Sequence, residues 1–230
     1  MIEDARGFAP ADRRPERQRS TRTRFEHAQG WVTALAGILA LALSVSNFVE
    51  LRRQPDVDVS LPHLVRIAQG KEVWLYLQPT VSSRVRAGQS AVITDVHLDV
   101  LPLGRGPGAA RPDFFWDETG TLRYDPETHA ADYVRTADPG PLLVTQERPQ
   151  QPLMLFDAIG WNFHEGRYLG RLTLHRAGAE KPITESFCLV VSKRAATTLE
   201  EAGQYTYHEF RNDVPGAGTD RNGCYVLPAG

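Results

Sequence analysis

The sequence predicts a mainly β protein: an antiparallel β-sandwich of the Ig-like type with a short helical segment near its C-terminal end, carried on one transmembrane helix. Three observations predict it. Residues 31–49, WVTALAGILALALSVSNFV, contain no Asp, Glu, Lys, Arg or His, and as a helix they would span roughly 28 Å, close to the thickness of bilayer hydrocarbon. Beyond them, apolar residues recur with period two in several short runs, the pattern of half-buried antiparallel strands. Clusters of Pro, Gly and Asp separate those runs, which favours a sandwich over a parallel sheet.

Residues 1–29 are polar, with Pro10, Pro15 and seven arginines. They hold too little apolar surface to offset the entropy of ordering, so they read as a disordered cytoplasmic tail. The span itself reads as residues 30–49, with Trp31 suited to the membrane interface. Only Arg52 and Arg53 follow closely, against seven Arg before the span. Orientation follows the Lys/Arg count at the two ends, so the N-terminus is expected inside and the C-terminal domain outside. A cleavable signal peptide is the competing reading, because Ser44-Val45-Ser46 supplies small residues. The longer apolar run, extended by Asn47-Phe48-Val49, favours a retained anchor over that reading, with the lipid bilayer as its partner.

Residues 50–62, ELRRQPDVDVSLP, read as a linker, and residues 63–230 as one extracytoplasmic domain with a Gly/Pro-rich tail. Within it, Val73, Leu75 and Leu77 share one strand face, with Trp74 and Tyr76 on the other. Over Ser90–Leu101, Val92, Val96, Leu98 and Val100 share a face opposite Ala91, Ile93, Asp95, His97 and Asp99. Residues 102–112 (PLGRGPGAARP) form a loop, and its GxGxG does not lead from a strand into a helix, so a nucleotide site has little support. Short strands are expected at 113–116, 121–124 and 142–145, with clearer ones at 152–158, 168–176 and 183–192. In the last, Phe187, Leu189 and Val191 share a face and Cys188 points away from it. Residues 195–211 contain helix formers interrupted by Gly203, so one broken helix or two short ones are expected.

The formal net charge is −2; residues 1–30 carry +2, which leaves −4 for the remainder. An acidic exported domain argues against nucleic acid or anionic lipid as its main partner. Cys188 and Cys224 are the only cysteines. In an oxidising compartment an even pair is a disulfide candidate, with one buried and one exposed thiol as the alternative. A bridge would place the tail across the outside of the sheet.

Three patterns carry candidate chemistry. Asp95-Val96-His97-Leu98-Asp99 puts two carboxylates and an imidazole on one strand face, donors that suit zinc or manganese and a metal-activated water. Same-face side chains on a strand are about 7 Å apart, so chelation needs partners from a neighbouring strand. Asp213 and Asp220-Arg221-Asn222-Gly223 supply oxygen donors of the kind that bind calcium, but the twelve-residue loop pattern is missing. Trp161-Asn162-Phe163 is an aromatic cluster that, if exposed, would stack on a sugar or a peptide. No GxSxG, HExxH or P-loop is present, and no cofactor is expected.

The Arg-rich tail, the Trp31–Val49 span and the stretches LPHLVRIAQGKEVWLYLQPT, RPQQPLMLF, WNFHEGRYLGRLTL, FCLVV and EFRND together resemble uncharacterised single-pass membrane proteins of high-GC Gram-positive bacteria. The resemblance covers the chain from about Trp31 onward and implies no activity and no catalytic residues. The expected function is therefore a membrane-anchored extracytoplasmic binding module of the cell envelope, partnered by an envelope protein or a glycan, and not an enzyme. The alternatives are a metal-dependent hydrolase centred on Asp95, His97 and Asp99, and an accessory subunit whose helix pairs through Ala34, Gly37 and Ala40.

Overall fold

The computed structural model describes residues 19–52, 56–84, 90–104, 111–127, 130–214 and 223–228. The chain forms two compact units, Met1–Arg53 and Gln54–Gly230. The first contains one helix, α1 (Arg19–Arg52). Its Gly30–Val49 stretch is long and apolar enough to cross a membrane, and none of its residues is buried. The helix takes in residues 19–29, which the sequence assigns to a disordered tail. No proline interrupts residues 19–52, so a helix nucleated in the apolar run extends backward one hydrogen bond at a time. Residues 1–18 lie outside the described residues.

The second unit is mainly β. Its strands are β1 (Val57–Ser60), β2 (Leu64–Gln69), β3 (Glu72–Leu77), β4 (Thr80–Ser83), β5 (Ser90–Leu103), β6 (Phe115–Asp125) and β7 (Ala130–Ala137). They continue with β8 (Leu142–Thr145), β9 (Leu153–Ile159), β10 (Gly166–Arg176), β11 (Ile183–Val191), β12 (His208–Arg211) and β13 (Tyr225–Val226). The short helix α2 (Lys193–Ala202) precedes β12. The expected linker at 50–62 therefore contains β1, and the domain begins earlier than residue 63.

Eleven strands form one sheet in the order β7-β6-β9-β3-β2-β12-β13-β11-β10-β5-β8, and β1 pairs with β4 in a small second sheet. The large sheet curls into a half-barrel. An Ig-like sandwich would keep two sheets apart. Here six strands on one side and four on the other are joined by β13, which pairs parallel with β11 at Leu189↔Tyr225 and Val190↔Val226. Its other edge meets β12 antiparallel at Arg211↔Val226. Away from this seam the two groups of strands meet again, where Leu98 bridges to Phe114 just ahead of β6.

The enclosed core draws on both groups, including Val73, Leu75, Leu77, Phe156, Val96, Leu98, Leu172, Leu174, Phe187 and Leu189, with Val57, Val59 and Val81 from the small sheet. Ala195 and Leu199, four apart on α2, are buried with them. Ser192 caps α2 by accepting from the Ala195 amide at 3.2 Å. Gly203 ends the helix with φ +77° and ψ 177°, a positive-φ backbone that glycine adopts at no steric cost. The helix expected at 195–211 thus stops at Ala202, and the chain re-enters the sheet as β12, where Phe210 is fully buried.

The two strands expected at 113–116 and 121–124 are one bent strand, β6, which pairs with β9 through Phe115–Gly120 and with β7 through Thr119–Asp125. Gly120 lies under Tyr133, whose ring atoms would stand 2.3–2.6 Å from any Cβ placed there. On the outer face Tyr76, Leu153 and Leu155 form a second apolar cluster, packed by Trp74, Leu122, Tyr133 and Tyr207. The Tyr207 hydroxyl donates to the Ala131 carbonyl of β7, which ties the β6–β7 hairpin to the chain entering β12. The Tyr76 hydroxyl is pushed up to about 12, chiefly by burial and then by the nearby Glu118.

Candidate functional site

The DVHLD pattern lies on β5, and the structure corrects its face assignment. Ala91, Ile93, Val96, Leu98 and Val100 are all buried, while Thr94, Asp95, His97 and Asp99 are exposed. Alternation reverses between Ile93 and Val96 because a β-bulge interrupts pairing with β10: His175 faces Asp95, yet Arg176 faces Ile93. The extra residue rotates the rest of the strand by one face. Single-strand alternation cannot locate such an insertion, so the sequence alone puts Ala91 and Ile93 with the polar set.

The bulge also fixes Asp95. Its Oδ1 accepts from the Val96 amide at 2.8 Å, and its Oδ2 lies 2.6 Å from His97 Nε2. His175, directly opposite Asp95 on β10, brings its ring to 5.5 Å from that of His97, at an interplanar angle of 87°. His97, His175, Asp99 and Asp113 line a shallow hollow of about 260 Å³ with Leu98, Pro112, Phe114 and Thr173. Asp99 sits two residues along β5, opposite Arg171. Among the described residues no three His, Cys, Asp or Glu side chains are placed to hold one metal ion. The set Asp95, His97 and Asp99 is thus not an assembled ligand set, because Asp95 spends both oxygens on its own neighbours. Asp220, Arg221 and Asn222 of the calcium-like loop lie outside the described residues.

A second cluster lies on the outer face of the six strands. Trp74, Asp157 and Phe115 are aligned across β3, β9 and β6, and residues aligned across antiparallel strands share a face. Glu72, two residues from Trp74, accepts from the Trp74 indole Nε1 at 3.1 Å. Tyr205 meets Trp74 edge-on with ring centroids 5.7 Å apart. Around this point Tyr205 is 89% exposed, Ile159 72% and Phe115 42%, whereas Asp157 is only 6% exposed and its Oδ1 has no hydrogen-bond partner.

Burial raises the Asp157 carboxyl to about 6, with further upward pressure from Glu72 and Asp117. An unfolded Asp titrates near 4. The native chain therefore holds the extra proton between about pH 4 and 6. The stability linked to it is fully present below about pH 4 and is lost as pH rises through about 6. Asp157→Asn removes the titration while keeping the shape. It is expected to flatten the pH dependence of stability across that window and to raise stability at pH 8 by about 1–3 kcal/mol. Urea unfolding at pH 4, 6 and 8 measures this; an unchanged pH slope in the variant would reject the assignment.

Phe163 is buried and Trp161 half-buried, so the pair is not the exposed cluster that a contact surface there would need. Phe163 is 1% exposed, and Trp161 packs on it at 4.7 Å and on Phe114 and Tyr168 at 5.9 and 6.0 Å. The Phe163 amide donates to the buried Gln69 Oε1 at 2.7 Å. The cluster fills the core behind the turn into β10, where Tyr168 also anchors the His164 backbone.

Cys188 and Cys224 are joined as a disulfide with Cα atoms 4.6 Å apart. Cys188 points away from the Phe187, Leu189 and Val191 face, as the alternation predicts. The tail does not cross the outside of the sheet, however: Cys224 leads directly into β13, so the bond links neighbouring strands. The Arg167 guanidinium donates to Cys224 Sγ at 3.6 Å.

Sequence motifs alone do not mark His175, Asp157, Glu72 or Trp74 as site residues. A lone carboxylate inside the apolar run PLMLFDAI is the signal that marks Asp157, since a charge there must be satisfied or neutralised. His175 joins His97 only through strand register.

No family model matches the chain, and no curated protein matches it. The solved structure of a family 123 glycoside hydrolase from Clostridium perfringens, described for glycolipid glycan hydrolysis, is similar at 12% identity with a TM-score of 0.33. The match covers 61% of this chain and 27% of that one. A likeness of this size carries no argument about activity.

Proposed function

We propose that this protein is a membrane-anchored extracytoplasmic binding module of the cell envelope. One observation carries the reading: the Gly30–Val49 helix is apolar all round and none of its residues is buried, so lipid is the natural solvent for it. The Arg-rich N-terminal flank sets the orientation, and the Cys188–Cys224 bond suits an oxidising compartment. We read the β domain as a derivative of an Ig-like sandwich whose two sheets have been joined. Its contact surface is the patch of Ile159 and the aromatic Trp74, Phe115 and Tyr205, which offers an envelope protein or glycan apolar faces beside carboxylates. The kinship with single-pass proteins of high-GC Gram-positive bacteria belongs to the same proposal.

Protease added to cells with the wall removed is expected to digest the β domain while leaving the Arg-rich tail protected. Digestion of the domain only after lysis would invert the topology and overturn the reading.

A further inference from the structure

We propose that His97 and His175 bind one divalent transition-metal ion of the imidazole-preferring kind, zinc or copper(II), with Asp95 positioning His97 from behind. The two rings come from adjacent strands, β5 and β10, and line one hollow open to solvent. Two imidazoles on a tetrahedral zinc, at Zn–N distances of about 2.0–2.1 Å, place their ring centroids roughly 5 Å apart; here they stand at 5.5 Å. Both side chains lie on an exposed strand face, so side-chain rotation supplies the remaining adjustment.

Asp95 is the reason to assign two protein ligands and not three. With Oδ1 held by the Val96 amide and Oδ2 on His97 Nε2, it leaves His97 Nδ1 as the nitrogen to coordinate. This is the carboxylate–histidine–metal arrangement, in which the carboxylate fixes the tautomer and ring orientation and raises ligand basicity. The bulge between Ile93 and Val96 turns both Asp95 and His97 outward. Imidazole donors favour zinc and copper over magnesium or calcium. Water fills the remaining coordination positions, with the Asp99 and Asp113 carboxylates lining the same hollow.

The test uses the untagged full-length chain in detergent, dialysed against zinc and, separately, titrated with copper(II). One equivalent of zinc is expected to bind. His97→Ala and His175→Ala should each weaken binding at least 10-fold, and Asp95→Asn by about 10–100-fold, while His164→Ala leaves it unchanged. Copper bound by the wild type should show coupling to two imidazole nitrogens in its electron paramagnetic resonance spectrum, and to one in either histidine variant. Circular dichroism of the metal-free variants is expected to match the wild type, since these side chains are exposed. The proposal is overturned if the wild type takes up zinc no more tightly than the His97→Ala/His175→Ala double variant. Bound copper lacking two imidazole couplings overturns it equally.

Discussion

Breaking the Cys188–Cys224 bond, by reduction or by a Cys188→Ala/Cys224→Ala double substitution, is expected to lower stability by about 3–4 kcal/mol. The bond closes a loop with a sequence separation of 36 residues, and cross-linking a loop of that length removes about this much conformational freedom from the unfolded chain. The thermal midpoint should fall by roughly 10 °C, at about 2–4 °C per kcal/mol for a domain of this size. The position of the bond makes the loss local as well. Without it β13 keeps two residue pairs to β11, one to β12 and the buried Tyr225, whose hydroxyl donates to the Pro62 carbonyl, a short ladder on which to join the two groups of strands. Urea unfolding of the reduced protein should therefore become broader, with the six strands and the four strands melting apart. A single transition of unchanged steepness would show that the core alone couples them.

The second large effect is expected from Phe156→Ala, at about 3–5 kcal/mol. Phe156 is fully buried on β9, faces Leu75 on β3 and Trp116 on β6, and belongs to the main core. Truncation there loses the transfer free energy of the ring and leaves a cavity that the flanking strands are too constrained to fill. Denaturant unfolding of the variant measures it directly. Phe115→Ala, one residue earlier on the strand that pairs with β9 but on the exposed face, should cost under 1 kcal/mol in the same assay. A comparable loss at both positions would contradict the assignment of inner and outer faces.

These contrasts show how far the residues themselves reveal the fold. Alternation locates β3, β10 and β11 and assigns Val73, Leu75, Leu77, Phe187, Leu189 and Val191 to the core, because a strand with one wet face must repeat every second residue. By contrast, β9 is legible as a short continuous apolar run and is buried on both faces. The four-residue strand β8 is recovered because Pro141 and Arg148-Pro149 bound it. What fails is anything set by pairing. The bulge on β5 shifts the phase without altering composition, so Ile93 and Asp95 look alike in register. β12 hides in a stretch of helix formers, and its burial of Phe210 between β2 and β13 overrides local propensity. β13 is two residues in a Gly/Pro-rich segment and has no periodicity to read. The candidate metal pair is half legible: His97 stands beside two carboxylates in sequence, while His175 reaches it only through the ladder between β5 and β10. Trp161 and Phe163 mislead for the opposite reason, since aromatic residues serve core and surface with the same letters.

The closing strand has a consequence for how the molecule is made. Every partner of β13 precedes it in the chain, and Cys188 emerges 36 residues before the cysteine it must meet. Until the later cysteine arrives, β11 is left with an unpaired edge beside β10, the kind of surface that recruits stray strands from other chains. Synthesis thus includes an interval in which the unfinished sheet is sticky, and an oxidant that acts too early has only one thiol to work on. The seam between the two groups of strands can close only once β13 has emerged, and any helper that shields nascent chains would be needed most during that delay.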